Sequence, residues 1–106
     1  MTLRLCYVTA GDREEALRLG RALVEERLAA CANVIDGMTS VYEWAGAVEQ
    51  AEEAVLILKT RADLIPRVVE RVRALHSYDI PCIVSLPIEA GNPDFLTWIA
   101  TQTAGS

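Results

Sequence analysis

The stretch from Cys31 to Thr60 reads as one long β-hairpin, broken at only two places. Asp36-Gly37 interrupts the first strand and reads as a bulge or bend. Ala45-Gly46 turns the chain, with Gly46 free to take positive φ. At roughly 3.3 Å per residue, Cys31 to Trp44 alone extends about 46 Å. A globule of this chain length has a diameter of about 34 Å. The ribbon therefore outruns its own domain unless it bends. Its tip carries Val41, Tyr42, Trp44 and Val48. An isolated two-stranded ribbon is marginal in water, and an open apolar edge invites another chain. The expectation is a hairpin docked on neighbouring copies of the same protein, with those four residues at the interface.

The rest of the pattern places the hairpin in a fold. Leu3 to Thr9 predicts a short strand, ended by Ala10-Gly11-Asp12. Asp12 predicts an N-cap, with Glu15 closing a capping box. The helix that follows is expected to reach about Ala30, with Ala16, Leu17, Gly20, Leu23, Val24 and Leu28 on its apolar stripe. Glu14 and Arg18 are placed for an i,i+4 pair on the other side. Ala54 to Leu58 is apolar at every position, as in a central strand covered on both faces. A second helix is predicted over Asp63 to Leu75, with Pro66 tolerated in its first turn. Cys82 to Leu86 predicts a last strand bounded by Pro81 and Pro87. Asn92-Pro93 then starts a short third helix. The fold class is α+β. The order is that of a ferredoxin-like split β-α-β sandwich, with a long hairpin between its second and third strands and an extra C-terminal helix. Residues 1–106 form one domain, with about 103–106 as a loose tail.

Charge and composition remove several functions. The net charge is −5, and the cations are one lysine and nine interleaved arginines. Such a surface repels a phosphate backbone, so nucleic acid is not expected as a partner. No apolar run approaches the ~20 residues of a membrane span, so no membrane partner is expected. The absence of a basic-then-apolar N-terminus points to the cytoplasm. Three cysteines without Cys-x-x-Cys spacing argue against a disulfide framework and a structural zinc site. Gly37-Met38-Thr39 lacks the thiolates of a heavy-metal-associated domain. Ala10-Gly11-Asp12 is too acidic for the phosphate loop of an acylphosphatase. Aromatic residues at 6% do not suit an RNA-binding sheet. No Ser-His-Asp set, paired catalytic carboxylates or nucleotide-binding glycine loop appears, so no enzyme is expected.

The ordered motifs resemble those of the CutA divalent-ion tolerance family. They are Leu-Val-Glu-Glu-Arg-Leu-Ala-Ala-Cys-Ala-Asn-Val-Ile from Leu23, Gly-Met-Thr-Ser-Val-Tyr from Gly37, Trp44-x-Gly46 and Ile-Leu-Lys-Thr ending at Thr60. They continue with Leu75-His76-x-Tyr78-Asp79-Ile80-Pro81, Leu86-Pro87-Ile88 and Gly91-Asn92-Pro93-Asp94-Phe95-Leu96-x-Trp98-Ile99. The resemblance implies a homotrimer joined by intersubunit sheets and a link to copper and other divalent cations. Four positions depart from the usual pattern. Gly11 and Ser77 stand where the family usually has proline, Cys82 where it has glutamate, and Ala47 where it has lysine. Of the metal ligands proposed in the family, only His76 carries over; Val8 and Leu75 occupy the places of the cysteine and a second histidine.

Two sets of site residues follow. His76, the only histidine, could ligate a divalent cation through neutral imidazole, with Cys6 or Cys82 as a second ligand. Equally, His76 could cap the second helix and the cysteines could pack as small hydrophobes. Asp12, Glu43, Trp44, Tyr78 and Asp79 could gather at an intersubunit cleft that takes a small ligand, or could bond across the interface. The functional expectation is a cytoplasmic homotrimer in divalent-cation tolerance, needing no cofactor and binding copper or another divalent cation weakly if at all. The alternatives are a PII-like signalling trimer with an effector in its clefts and a purely structural assembly module.

Overall fold

A computed structural model describes residues 2–103. The chain runs β1 (Leu3–Ala10), α1 (Arg13–Glu25), β2 (Cys31–Trp44), β3 (Ala47–Arg61), α2 (Ile65–Leu75), β4 (Ile83–Ile88) and α3 (Pro93–Gln102), with a short 3-10 turn at Ala62–Leu64 leading into α2. The strands form one antiparallel sheet in the order β2-β3-β1-β4. This is the expected ferredoxin-like arrangement.

Register decides which residues see the helices. Cys6 pairs with Leu58, and Val8 with Leu56. All four are buried in the main core with Leu19 and Leu23 of α1 and Val68 and Val72 of α2. Because side chains alternate, the intervening Tyr7, Ile57 and Val84 face the opposite way. On that second face α3 closes only one end, where Ile99 packs with Leu3 and Ala30. Ile35, Val84 and Leu86 on this face remain about half exposed.

The helices differ from expectation in instructive ways. Asp12 does cap α1, its Oδ1 accepting from the Glu15 N–H at 2.8 Å. The buried stripe is Ala16, Leu19, Gly20 and Leu23, while Leu17 and Val24 are exposed. Arg18 lies 3.7 Å from Glu15 rather than pairing with Glu14. The helix stops at Glu25, five residues before Ala30. Arg27 takes φ 60°, its N–H bonding Val24 O, while the Leu28 N–H reaches back to Leu23 O. This reversal buries Leu28 without using a glycine. Pro87 lies inside β4 instead of bounding it, which an edge strand tolerates. Thr103 is fully buried, its hydroxyl donating to Ile99 O at 2.9 Å, so it does not belong to a loose tail. Residues 104–106 lie outside the described residues.

The hairpin projects as its length demands. The molecule measures 45 × 26 × 22 Å. The register shifts between Ile35 and Met38, where Gly37 has φ 76°. Pairing of β1 with β3 ends at Ala10–Ala54, so the ribbon beyond that point has only its own two strands. Ala45 and Gly46 both take positive φ, 52° and 84°, the pattern of a type I′ turn. Alternation puts Val41 and Val48 on one face of this ribbon and Tyr42 and Trp44 on the other. Val41, Trp44 and Val48 are 66%, 64% and 77% exposed.

Candidate functional site

The polar residues with the densest bonding meet where the loop after α2 crosses the start of α1. Glu15 is 5% exposed, and both its oxygens are engaged. Oε1 accepts from the Gly11 N–H at 2.9 Å, and Oε2 from the Ser77 N–H at 2.8 Å. Burial pushes this carboxyl's pKa up, but the hydrogen bonds from Gly11 and Ser77 and the nearby His76 outweigh it and hold it below its ordinary value. His76 follows α2 as its C-cap, its side chain fully buried. Its Nδ1 accepts from the Tyr78 N–H at 3.0 Å. The proton assigned by that bond sits on Nε2, which donates to Thr9 O at 2.7 Å. The loop is thus tied to both β1 and α1.

That anchoring presents Tyr78 to the base of the projecting ribbon. The Tyr78 hydroxyl donates to Glu53 Oε2 at 2.7 Å, and the Ser40 hydroxyl donates to Glu53 Oε1. Burial, then the hydrogen bond and charge of Glu53, push the Tyr78 phenol up to about 12. Between loop and ribbon lies a groove of about 900 Å³. Tyr42, Trp44, Tyr78 and Ile80 supply its apolar surface, and Glu49, Glu53 and Asp79 its charge. Among the described residues no lysine, arginine or histidine lines it. An open, acidic and aromatic groove is suited to holding a ligand.

The model of the CutA1 divalent ion tolerance protein family matches residues 4–102. The chain belongs to this family. It is 46% identical over 96 residues to the divalent-cation tolerance protein CutA of Thermus thermophilus, covering 91% of this chain and 93% of that one. It is 42% identical over 97 residues to mouse protein CutA, covering 92% of this chain. The chain spans 55% of the mouse protein's length. The crystal structure of CutA1 from Oryza sativa superposes with a TM-score of 0.97 at 40% identity, covering 100% of this chain and 97% of that one.

Within this family fold, the expected site residues separate. Trp44, Tyr78 and Asp79 do line one groove. Asp12 does not; its carboxylate caps α1. Glu43 pairs with Val48 on the ribbon face opposite Tyr42 and Trp44, because adjacent residues of a strand point apart. The three metal-ligand candidates are dispersed. Cys6 faces the core, where burial, partly offset by Arg4, pushes its thiol up to about 11 and keeps it protonated at neutral pH. Both nitrogens of His76 are taken by the backbone. Cys82 alone is exposed, at the groove rim. Among the described residues no group of three or more His, Cys, Asp or Glu side chains is arranged to hold a metal ion. Sequence reasoning missed Glu15, Ser40, Glu49 and Glu53 as site residues. Only the last three left a signal, since alternation from Tyr42 and its cross-strand partner Glu49 reaches them.

Proposed function

We propose that the chain acts as a cytoplasmic homotrimer in divalent-cation tolerance, as an assembly and binding protein rather than an enzyme. The observation that carries this reading is the projecting ribbon. It carries apolar side chains among acids on both faces, and Val41 and Val48 stand largely exposed on a segment that a single copy leaves uncovered. Exposed apolar ribbon of this kind is satisfied by pairing with other copies. The family membership and the tolerance named for the Thermus relative support the cation role. Three free thiols fit a reducing compartment. No helix of the described residues is long and apolar enough to cross a membrane.

Metal enters this reading as a weakly held ligand, not as a resident cofactor. Copper or another divalent cation would find Cys82 exposed, whereas Cys6 and His76 are already committed. Light scattering at micromolar protein should give three times the 11.6 kDa chain mass. Val48→Asp should lower it, since a charge replaces an apolar contact. Cells lacking the protein should gain copper sensitivity that the wild type cures and Val48→Asp cures poorly. A single-chain mass for the wild type would overturn the reading. A second reading, an effector-binding trimer, is favoured by the groove, whose lining is too specific in charge to be a featureless cleft.

A further inference from the structure

Resting on the groove-binding form of the reading above, we infer that the groove takes an organic polycation, of the size and charge spacing of a short polyamine. Three of its walls are aromatic: Tyr42, Trp44 and Tyr78. Aromatic faces attract ammonium groups, and they also pack against methylene stems. The charges are those of Glu49, Glu53 and Asp79. With no cationic side chain in the lining of the described residues, a phosphorylated effector finds only repulsion there.

The spacing of the carboxylates separates an organic cation from a metal ion. A divalent cation needs oxygens converging at about 2.0–2.6 Å. The described residues form no such cluster. Glu49 and Glu53 lie on one face of β3, four residues apart, which is roughly 13 Å along the strand. Charges held that far apart match a ligand whose own charges are separated by an apolar spacer. Glu53 is fixed by Tyr78 and Ser40, so one end of the site is preorganised. Glu49 and Asp79 are exposed and stay available at the rim.

The test is calorimetric titration of the whole protein with spermidine, with chain mass read by light scattering on the same samples. Spermidine should bind, Mg²⁺ at equal concentration should not displace it, and ATP should give no heat. Glu49→Gln with Asp79→Asn should weaken spermidine at least tenfold. Glu14→Gln with Glu25→Gln removes the same charge from exposed positions on α1 and should leave affinity unchanged. Equal weakening by both pairs, displacement by Mg²⁺, or no binding by a three-chain assembly overturns the inference and leaves the assembly standing. A single-chain mass with groove-dependent spermidine binding overturns the assembly and upholds this inference.

Discussion

Replacing Glu15 by glutamine tests whether a buried carboxylate holds the site loop. The wild-type carboxylate accepts two backbone N–H groups, from Gly11 and Ser77, at 2.9 and 2.8 Å. Glutamine keeps one acceptor oxygen and places an NH2 against one of those donors. A hydrogen bond to a charged group contributes about 1.5–3 kcal/mol, and a buried donor left unsatisfied costs about 1–3 kcal/mol. Glu15→Gln should therefore destabilise by roughly 2 kcal/mol at neutral pH. The pH dependence has a definite sign. The folded pKa lies below the unfolded value of 4.5, so the stabilisation is complete above pH 4.5 and fades as pH falls through the folded pKa. Each proton taken up changes the slope by at most about 1.4 kcal/mol per pH unit. Denaturant unfolding of both proteins at one fixed chain concentration, from pH 7 to pH 3, should show the gap between them closing in acid. Amide exchange at Gly11 and Ser77 should quicken in the variant at neutral pH. A gap that stays constant from pH 7 to pH 3 would refute the argument.

Other perturbations follow from single contacts. A methyl on Gly20 would sit 2.9 Å from Ala32 Cβ and 3.1 Å from Leu56 Cδ1. Gly20→Ala gains about 1 kcal/mol of helix propensity but overpacks by about 1–3 kcal/mol, so thermal unfolding should occur at a lower temperature. Ala45→Asn places a residue that tolerates φ 52° before Gly46, and should stabilise by up to about 1 kcal/mol in denaturant melts. Tyr78→Phe should remove from an ultraviolet alkaline titration the transition of the phenol that burial and Glu53 push up to about 12.

The hairpin and the sheet order were legible because they rest on local, repeating signals. Gly37 and Gly46 mark the bulge and turn, and the run Ala54 to Leu58 marks a strand covered twice. The end of α1 was not legible, because Arg27 does the left-handed work usually given to glycine. Glu43 and Trp44 adjoin in sequence, yet strand alternation puts them on opposite faces. The groove-facing positions of Ser40, Tyr42 and Trp44 depend on the bulge, since one residue more or fewer between Ile35 and Met38 moves every later side chain of β2 to the other face. Glu15 read as half of a capping box. One of its two backbone donors, Ser77, lies 62 residues away and offers an N–H that no side-chain motif announces.

Two departures from the usual family pattern meet at that same carboxylate. Gly11 and Ser77, where the resemblance to the family implies proline, each donate an N–H to one oxygen of Glu15. Proline has no N–H, so either substitution would strand one oxygen of a buried anion. The two departures therefore have one physical explanation: together they satisfy Glu15. Substituting alanine separates the lost donor from the changed side chain. Gly11→Ala keeps the N–H and places a methyl 3.3 Å from Glu15 Oε1. Gly11→Pro removes the donor as well, and should be less stable than Gly11→Ala by about 1–3 kcal/mol. Ser77→Pro should stand in the same relation to Ser77→Ala. In a Glu15→Gln background the proline–alanine gap should shrink at whichever donor already faces the new NH2, because its bond is already lost. Equal stabilities for the proline and alanine variants at both positions, measured in denaturant at one chain concentration, would show that Glu15 does not depend on these two amides.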